Sequence, residues 1–327
     1  MKDLNKTMAA IMIPDNQHKD VPGNPSTAKS STVRLRQEAT EDSLKVLTME
    51  QWAFWKHNGY VVIKNAIPHE QAALTAAFLW EFEDKDPNKQ ETWYAAPRAA
   101  MQMKELAGTG MVEVYNNQHL WNNRQTQRVY DAFVDIWGIE ELWVTIDRAN
   151  LNVPMRPGYE YKGFIHWDYD PETKPQNVQG VLALADQTDE GMGGFQCIPW
   201  LYRNYDTWKL TQPEDRNHFQ PDISDVEDKL VKVPMEAGDL LIFNSAEPHG
   251  IRPNISKDKV RIAQYISMMP AQEEEESLKE WRINSWKNSI APQGYAFPGD
   301  PRNWEQTKYQ RAELSALGKK LLGLNKW

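Results

Sequence analysis

From residue 142 to residue 270 the chain reads as strand after strand with no crossover helix between them, and this run constrains the fold more than any other feature. "LWVTIDRANLNV", "FIHWDYD", "NVQGVLALADQT", "GFQCIPW", "KLVKVPM", "DLLIFNS" and "KVRIAQYISMM" follow one another, divided by turns such as "DQTDEGMGG" and "EAGD". Parallel neighbours would need connections of a dozen or more residues, usually helical. The run therefore predicts an antiparallel sandwich or barrel, mainly β with flanking helices. The stretch 201–228 is the one irregular insert.

The flanks read differently. Residues 1–47 are polar and lack periodicity, which predicts a mobile tail or an arm lying over the surface. Order is expected from Thr48, whose spacing to Gln51 is that of a capping box. A short helix then ends at Gly59 and "YVVIKNA" follows as a strand. "HEQAALTAAFLWEFEDKD" and "NRQTQRVYDAFVDIWG" carry apolar residues at helical spacing. After about residue 272 the chain returns to helix, interrupted at "PQGYAFPGDP". The division expected is thus a tail 1–47, a core 48–270 with its helices at the front, and a helical, aromatic segment 271–327.

Composition narrows the function. The 327 residues, 40% hydrophobic with 14 Trp, suffice for a sizeable core. Cys197 is the only cysteine, so no internal disulfide can form. The start "MKDLNKTMAAIMIPD" has too short an apolar run for a secretory or membrane-spanning segment. These features predict a cytoplasmic protein without a membrane span. A net charge of −9 disfavours nucleic acid as a partner and leaves a small molecule as the expected one. Oligomeric state is not legible.

Candidate chemistry centres on "GFIHWDYDP", 163–171. On a strand, alternate side chains share a face, so His166 and Asp168 project together while Trp167 points the other way. Of the 7 histidines, those in the strand region are His166, His218 and His249. His218 lies in the polar stretch "PEDRNHFQPD" and reads as solvated. His249 ends the segment "GDLLIFNSAEPHG", where the apolar strand gives out. Two imidazoles and one carboxylate from two strands make a facial set that leaves three adjacent coordination positions open, which suits non-haem Fe(II).

Eleven residues separate His249 from Arg261, and the alternation of "KVRIAQYISMM" puts Arg261, Ala263, Tyr265 and Ser267 on one face. An arginine pointing into a barrel needs an anion, and a planar guanidinium grips a carboxylate through two parallel hydrogen bonds. Arg252, in a proline-flanked stretch, is the weaker candidate.

Taken together, the helix leading to "NGYVVI", "HWD" at 166–168, "GGFQCIP" at 193–199, "PHG" at 248–250 and the following arginine resemble the phytanoyl-CoA dioxygenase-like family of Fe(II)/2-oxoglutarate-dependent oxygenases. The resemblance spans roughly residues 48–270. It implies a double-stranded β-helix, a cupin-like jelly-roll barrel, with Fe(II) held by His166, Asp168 and His249 and the distal carboxylate of 2-oxoglutarate held by Arg261. It further implies that O2 and 2-oxoglutarate are consumed, with succinate and CO2 as co-products, to oxidise an unactivated C–H bond. Related halogenases carry a small residue in place of the carboxylate, so Asp168 favours hydroxylation. Two stretches depart from the family pattern. "PWLYRN" stands where "PGSH" is frequent, and "RANLNVP" precedes the His-x-Asp where a lysine often assists the co-substrate, leaving Asn152 for that task.

Two other functions fit the residue types. A zinc hydrolase on the same barrel would use the same three ligands, and a ligand-binding barrel without turnover would keep them idle. For the substrate, "VEVYNNQHLWNNRQ" (112–125) and "WKNSIAPQGYAFPGDPRNW" (286–304) are aromatic and loop-like. They are expected to overhang the open end of the barrel as a lid, with Tyr115, His119, Trp121 and Arg124 meeting a mid-sized, partly apolar molecule. No basic cluster marks a CoA thioester.

Overall fold

Thr48 accepts a hydrogen bond from the Gln51 amide and opens the helix Met49–Asn58, and Gly59, at φ 73°, closes it in the left-handed conformation that glycine adopts freely. The chain then enters strand β1 (Tyr60–Ile63). The computed structural model describes residues 31–94, 110–157, 163–292 and 297–327.

Two antiparallel sheets frame the described part. One has six strands in the order β1, β8 (Leu240–Asn244), β5 (Val178–Ala183), β10 (Arg261–Tyr265), β4 (Ala149–Asn152) and β2 (Met111–Val112). The other has β7 (Val231–Lys232), β6 (Met192–Cys197) and β9 (His249–Asn254). A short pair joins β11 (Met268–Pro270) to β3 (Leu142–Val144). The expected antiparallel architecture is thus present, built largely from the segments read as strands.

Period-2 alternation sends the two faces of the large sheet into different cores. Val181, Ala183, Leu241, Phe243 and Ala263 pack inward with Phe195 and Cys197 of the smaller sheet. Leu182, Leu240, Ile242, Leu151 and Ile262 pack outward, against the helices His69–Phe82 and Gln127–Trp137. The outer face is closed by helices, and the inner space lies between the sheets.

Several local expectations change. A ten-residue helix, Pro199–Trp208, stands inside the region read as strand and insert, because Pro199 occupies the first turn, where its missing N–H costs nothing. Gln118–Arg124 is a helix capped by Asn117, not a loop. His249 begins β9 instead of ending the preceding strand.

Of the expected tail, residues 1–30 lie outside the described residues. Residues 31–47 lie along the core as an arm: the buried Asp135 carboxylate accepts the backbone amides of Lys45, Val46 and Leu47 at 2.7, 2.8 and 2.8 Å. At the other terminus, Arg282 is buried and donates to the carbonyls of Leu322, Val144 and Leu321. Leu321 and Leu322 join the outer core. The final helices therefore pack as part of the body.

Candidate metal centre

His166 and His249 are brought together by backbone. Their amides and carbonyls pair reciprocally, His166 N to His249 O at 2.9 Å and His249 N to His166 O at 3.0 Å, an isolated antiparallel bridge beside β9. Gly250 permits this approach. A Cβ there would lie 1.9 Å from the Phe164 carbonyl oxygen. The "PHG" glycine is thus required by the closeness of segment 163–166. That segment holds no longer run of strand, yet its side chains still alternate: Trp167 turns away, is buried, and donates to the Ala246 carbonyl at 2.9 Å.

One ligating atom each from His166, Asp168 and His249 lie within 4.8 Å of one another. Asp168 stands between the imidazoles, with Oδ1 3.5 Å from His166 Nε2 and Oδ2 3.5 Å from His249 Nε2. His249 Nδ1 lies 3.0 Å from the Glu247 carbonyl oxygen. A carbonyl can only accept, so Nδ1 carries a proton, and in the neutral ring Nε2 is the atom left with the lone pair a metal needs. Phe243 and Phe195 pack on the His249 ring at 4.4 and 5.8 Å between centroids.

The charge states suit a cation. Burial drives the His166 pKa down and so favours the neutral ring. For Asp168, burial alone would raise the pKa, but the two histidine rings beside it outweigh that and hold the carboxyl well below its ordinary value. The Glu247 carboxyl, by contrast, is pushed well above the usual range by burial. Two imidazoles and one carboxylate, converging at this spacing, could hold a divalent metal ion. His218 is outside the set, its ring half-exposed and 3.5 Å from Asp170 Oδ2.

Arg261 is buried on the inward row of β10 with Ala263 and Tyr265. Its Nε donates to Gln187 Oε1 at 3.2 Å and its Nη1 to Asn150 Oδ1 at 2.7 Å. Both acceptors are neutral amides. Arg252 is also buried and donates to the carbonyl oxygens of Gly193 and Phe195. Its pKa is lowered first by burial and then by the neighbouring Arg261 charge. Two guanidinium groups thus stand close without a carboxylate on either among the described residues. Asn152 is the cross-strand partner of Arg261.

The residues expected to meet substrate are placed elsewhere. Trp121 and Arg124 are fully buried and Tyr115 nearly so. Trp121 Nε1 donates to Asn116 Oδ1 at 3.2 Å, Arg124 donates to the carbonyls of Tyr115 and Asp147, and the Tyr115 hydroxyl donates to Glu113. Their polar atoms are spent on internal partners, which is a core arrangement and not a lid. His119 lies on another face of its helix. It stacks on Phe78 at 5.2 Å and lines a cavity of about 520 Å³ with Phe78, Glu81 and Tyr309. In the second expected lid segment, residues 293–296 lie outside the described residues. Glu305, just beyond, accepts the backbone amides of Tyr115 and Asn116 at 2.8 and 2.5 Å and ties the two segments together.

Some residues at the centre were not anticipated. Gln179 donates to Asp168 Oδ2 at 2.5 Å. The hydroxyl of Tyr265, which the alternation of β10 already put on the Arg261 face, is buried with no hydrogen-bond partner among the described residues. Gln187 and Asn150 hold Arg261. Gln179, Tyr265 and Asn150 are polar residues on inward-facing strand positions, a signal that alternation alone could have supplied, whereas Gln187 lies beyond β5 at an isolated bridge with Met235.

The model of the phytanoyl-CoA dioxygenase (PhyH) family matches residues 55–263. The chain is 25% identical over 245 residues to Ava biosynthesis cluster protein O of Aspergillus versicolor, covering 68% of this chain and 79% of that protein. Among solved structures, GlcNAc Inducible Gene 2 of Candida albicans aligns with a TM-score of 0.62 at 14% identity, over 88% of this chain and 78% of that one. HygX of Streptomyces hygroscopicus, solved with nickel and 2-oxoglutarate bound, aligns with a TM-score of 0.51 at 15% identity, over 70% of this chain and 89% of that one.

Proposed function

The chain belongs to the phytanoyl-CoA dioxygenase family, and on that premise we propose that it is a non-haem Fe(II)/2-oxoglutarate-dependent dioxygenase that hydroxylates a mid-sized small molecule. In this reading the two sheets form a double-stranded β-helix. His166, Asp168 and His249 hold the iron, and Arg261, assisted by Asn152, holds the distal carboxylate of 2-oxoglutarate.

The observation that carries the reading is the pairing of two features between the sheets: three converging ligands, and a buried guanidinium whose partners among the described residues are neutral amides. A buried cation without a counter-charge is costly, and a carboxylate from a bound molecule would relieve that cost. The inward row supports a slot between them. Ala263 lies opposite Ala183 in register, and two methyl side chains at that level leave room for a slender dianion. Tyr265, further along the same row, offers it a hydroxyl.

Iron bound here, with 2-oxoglutarate and O2, would supply oxidative decarboxylation to succinate and CO2 coupled to oxidation of a substrate C–H bond. The protein's own part is orientation. The Glu247 carbonyl keeps His249 in the tautomer with Nε2 free, burial keeps His166 neutral, and Arg261 directs the co-substrate lengthwise. Asp168 occupies the position that halogenases leave to a halide, which supports hydroxylation. The likeness to a biosynthesis-cluster protein supports a small molecule as substrate.

A zinc hydrolase would have no use for Arg261, and a non-catalytic barrel would have no use for ligands held in a metal-ready state. Anaerobic reconstitution with Fe(II), followed by O2 and 2-oxoglutarate, separates the three. Fe(II)-dependent succinate formation is expected. Hydrolytic activity with Zn(II) and none with Fe(II), or metal binding with no 2-oxoglutarate consumption, would overturn the proposal.

A further inference from the structure

Asp168 has a second attachment besides the two imidazoles. Gln179 Nε2 lies 2.5 Å from Asp168 Oδ2, and among the described residues Asp168 is the hydrogen-bond partner of the Gln179 side chain. It is the amide nitrogen that faces the carboxylate, so the Gln179 NH2 group donates and Asp168 Oδ2 accepts. The contact is a directed donor on one oxygen of a ligand carboxylate.

The placement of Gln179 follows from β5. The strand alternates, with Val178 and Leu182 in the outer core and Val181 and Ala183 in the inner one, so Gln179 faces inward. Its cross-strand neighbour on β8 is Phe243. Phe243 packs on the His249 ring at 4.4 Å between centroids. One cross-strand pair therefore supports two of the three ligands, the amide on Asp168 and the phenyl ring on His249. In a half-buried inward position, where alternation otherwise places Val and Ala, a glutamine with a single partner is explained by that partner.

We infer that Gln179 is a positioning residue that restrains Asp168 to ligate through one oxygen. The amide proton draws on the electron density of Oδ2 and fixes the carboxylate plane, leaving Oδ1 as the better donor. A carboxylate chelating through both oxygens would occupy one more coordination position. Three ligands with single attachment leave three adjacent positions, the number that two atoms of 2-oxoglutarate and one of O2 require. Gln179 thus acts on how many positions remain open, through Asp168 and without touching the reactants. This inference rests on the metal assignment proposed above.

The test uses Co(II) as the probe and the full-length protein. Gln179→Met keeps the side-chain length and volume and removes the donor. Co(II) affinity, measured by titration, is expected to fall by about tenfold or more, the usual effect of removing a support of a ligand. The splitting between the antisymmetric and symmetric carboxylate stretches of Asp168, read by infrared difference spectroscopy on Co(II) binding, should be wide in the wild type and narrower in the variant. Loss of packing alone would leave that splitting unchanged.

Equal affinity and equal splitting in the two proteins would overturn the inference while leaving the metal site intact, provided His249→Ala still loses Co(II). A narrow splitting in the wild type would overturn it even if Gln179→Met failed to fold. Wild-type protein that bound Co(II) no better than His249→Ala would remove the metal assignment, and this inference with it.

Discussion

His166 and His249 share a reciprocal backbone pair, at 2.9 and 3.0 Å, so the two proposed ligands, 83 positions apart in sequence, are joined by main chain. Side-chain convergence then needs only rotamers, and Asp168 follows two residues along. The site is preorganised by a β-bridge and by the glycine that admits it.

Gly250→Ala tests that relationship. The added methyl would sit 1.9 Å from the Phe164 carbonyl oxygen and must push segment 163–166 away. Overpacking of this kind costs roughly 1–3 kcal/mol, and each 1.4 kcal/mol is about a factor of ten. Metal affinity by Co(II) titration is expected to weaken by about ten- to a hundredfold. An unchanged affinity would mean that the bridge does not position His166.

Arg261→Lys keeps the charge and loses the planar fork. Lysine can hold neither Gln187 nor Asn150 in the same geometry while gripping a carboxylate. The KM for 2-oxoglutarate should rise by about tenfold or more, corresponding to roughly 1.5–3 kcal/mol of charge-assisted hydrogen bonding. The KM for the organic substrate should hold. An unchanged 2-oxoglutarate KM would move the anion site to Arg252.

Trp121→Ala should act on stability and not on substrate binding, since the side chain is fully buried. Emptying a Trp site in a core costs about 3–5 kcal/mol, read as a lower denaturation midpoint. A raised substrate KM at unchanged stability would return Trp121 to a binding role.

Much of this was legible in sequence, and the exceptions have physical causes. The strands of β5, β6, β8 and β10 follow directly from alternation between turns, and His166, Asp168 and His249 from two short motifs. The misplacement of Tyr115, Trp121 and Arg124 came from reading aromatics among Asn and Gln as exposed. In the structure those amides are the satisfying partners: Asn116 takes the Trp121 indole N–H, and Asn123 donates to Gln264 at 2.8 Å. The polar neighbours allow burial instead of signalling exposure. Pairings at long range, such as Gln179 with Asp168 or Glu305 with Tyr115, depend on register and chain return that local pattern does not encode.

Glu305 makes stability depend on pH. Burial pushes its carboxyl up to about 7, well above the ordinary glutamate value of 4.5, against the pull of the Tyr115 and Asn116 amides. A folded value raised above the unfolded one contributes stability that is complete below the unfolded value and is lost as pH rises through the folded one. Between about pH 5 and pH 8 the wild type should therefore lose on the order of 3 kcal/mol relative to Glu305→Gln, which cannot titrate. Denaturation curves for both proteins across this range check it. Parallel pH dependence would show that Glu305 does not change charge there.

The most direct test of the central claim is an anaerobic Fe(II) titration of wild type, His166→Ala, Asp168→Ala, His249→Ala and His218→Ala, followed by addition of 2-oxoglutarate. The account predicts that wild type and His218→Ala bind Fe(II) at a single site and develop a visible Fe(II)-to-2-oxoglutarate charge-transfer band, and that the three ligand variants do not. A band that survives loss of His249 or Asp168, or one that disappears with His218, would contradict it.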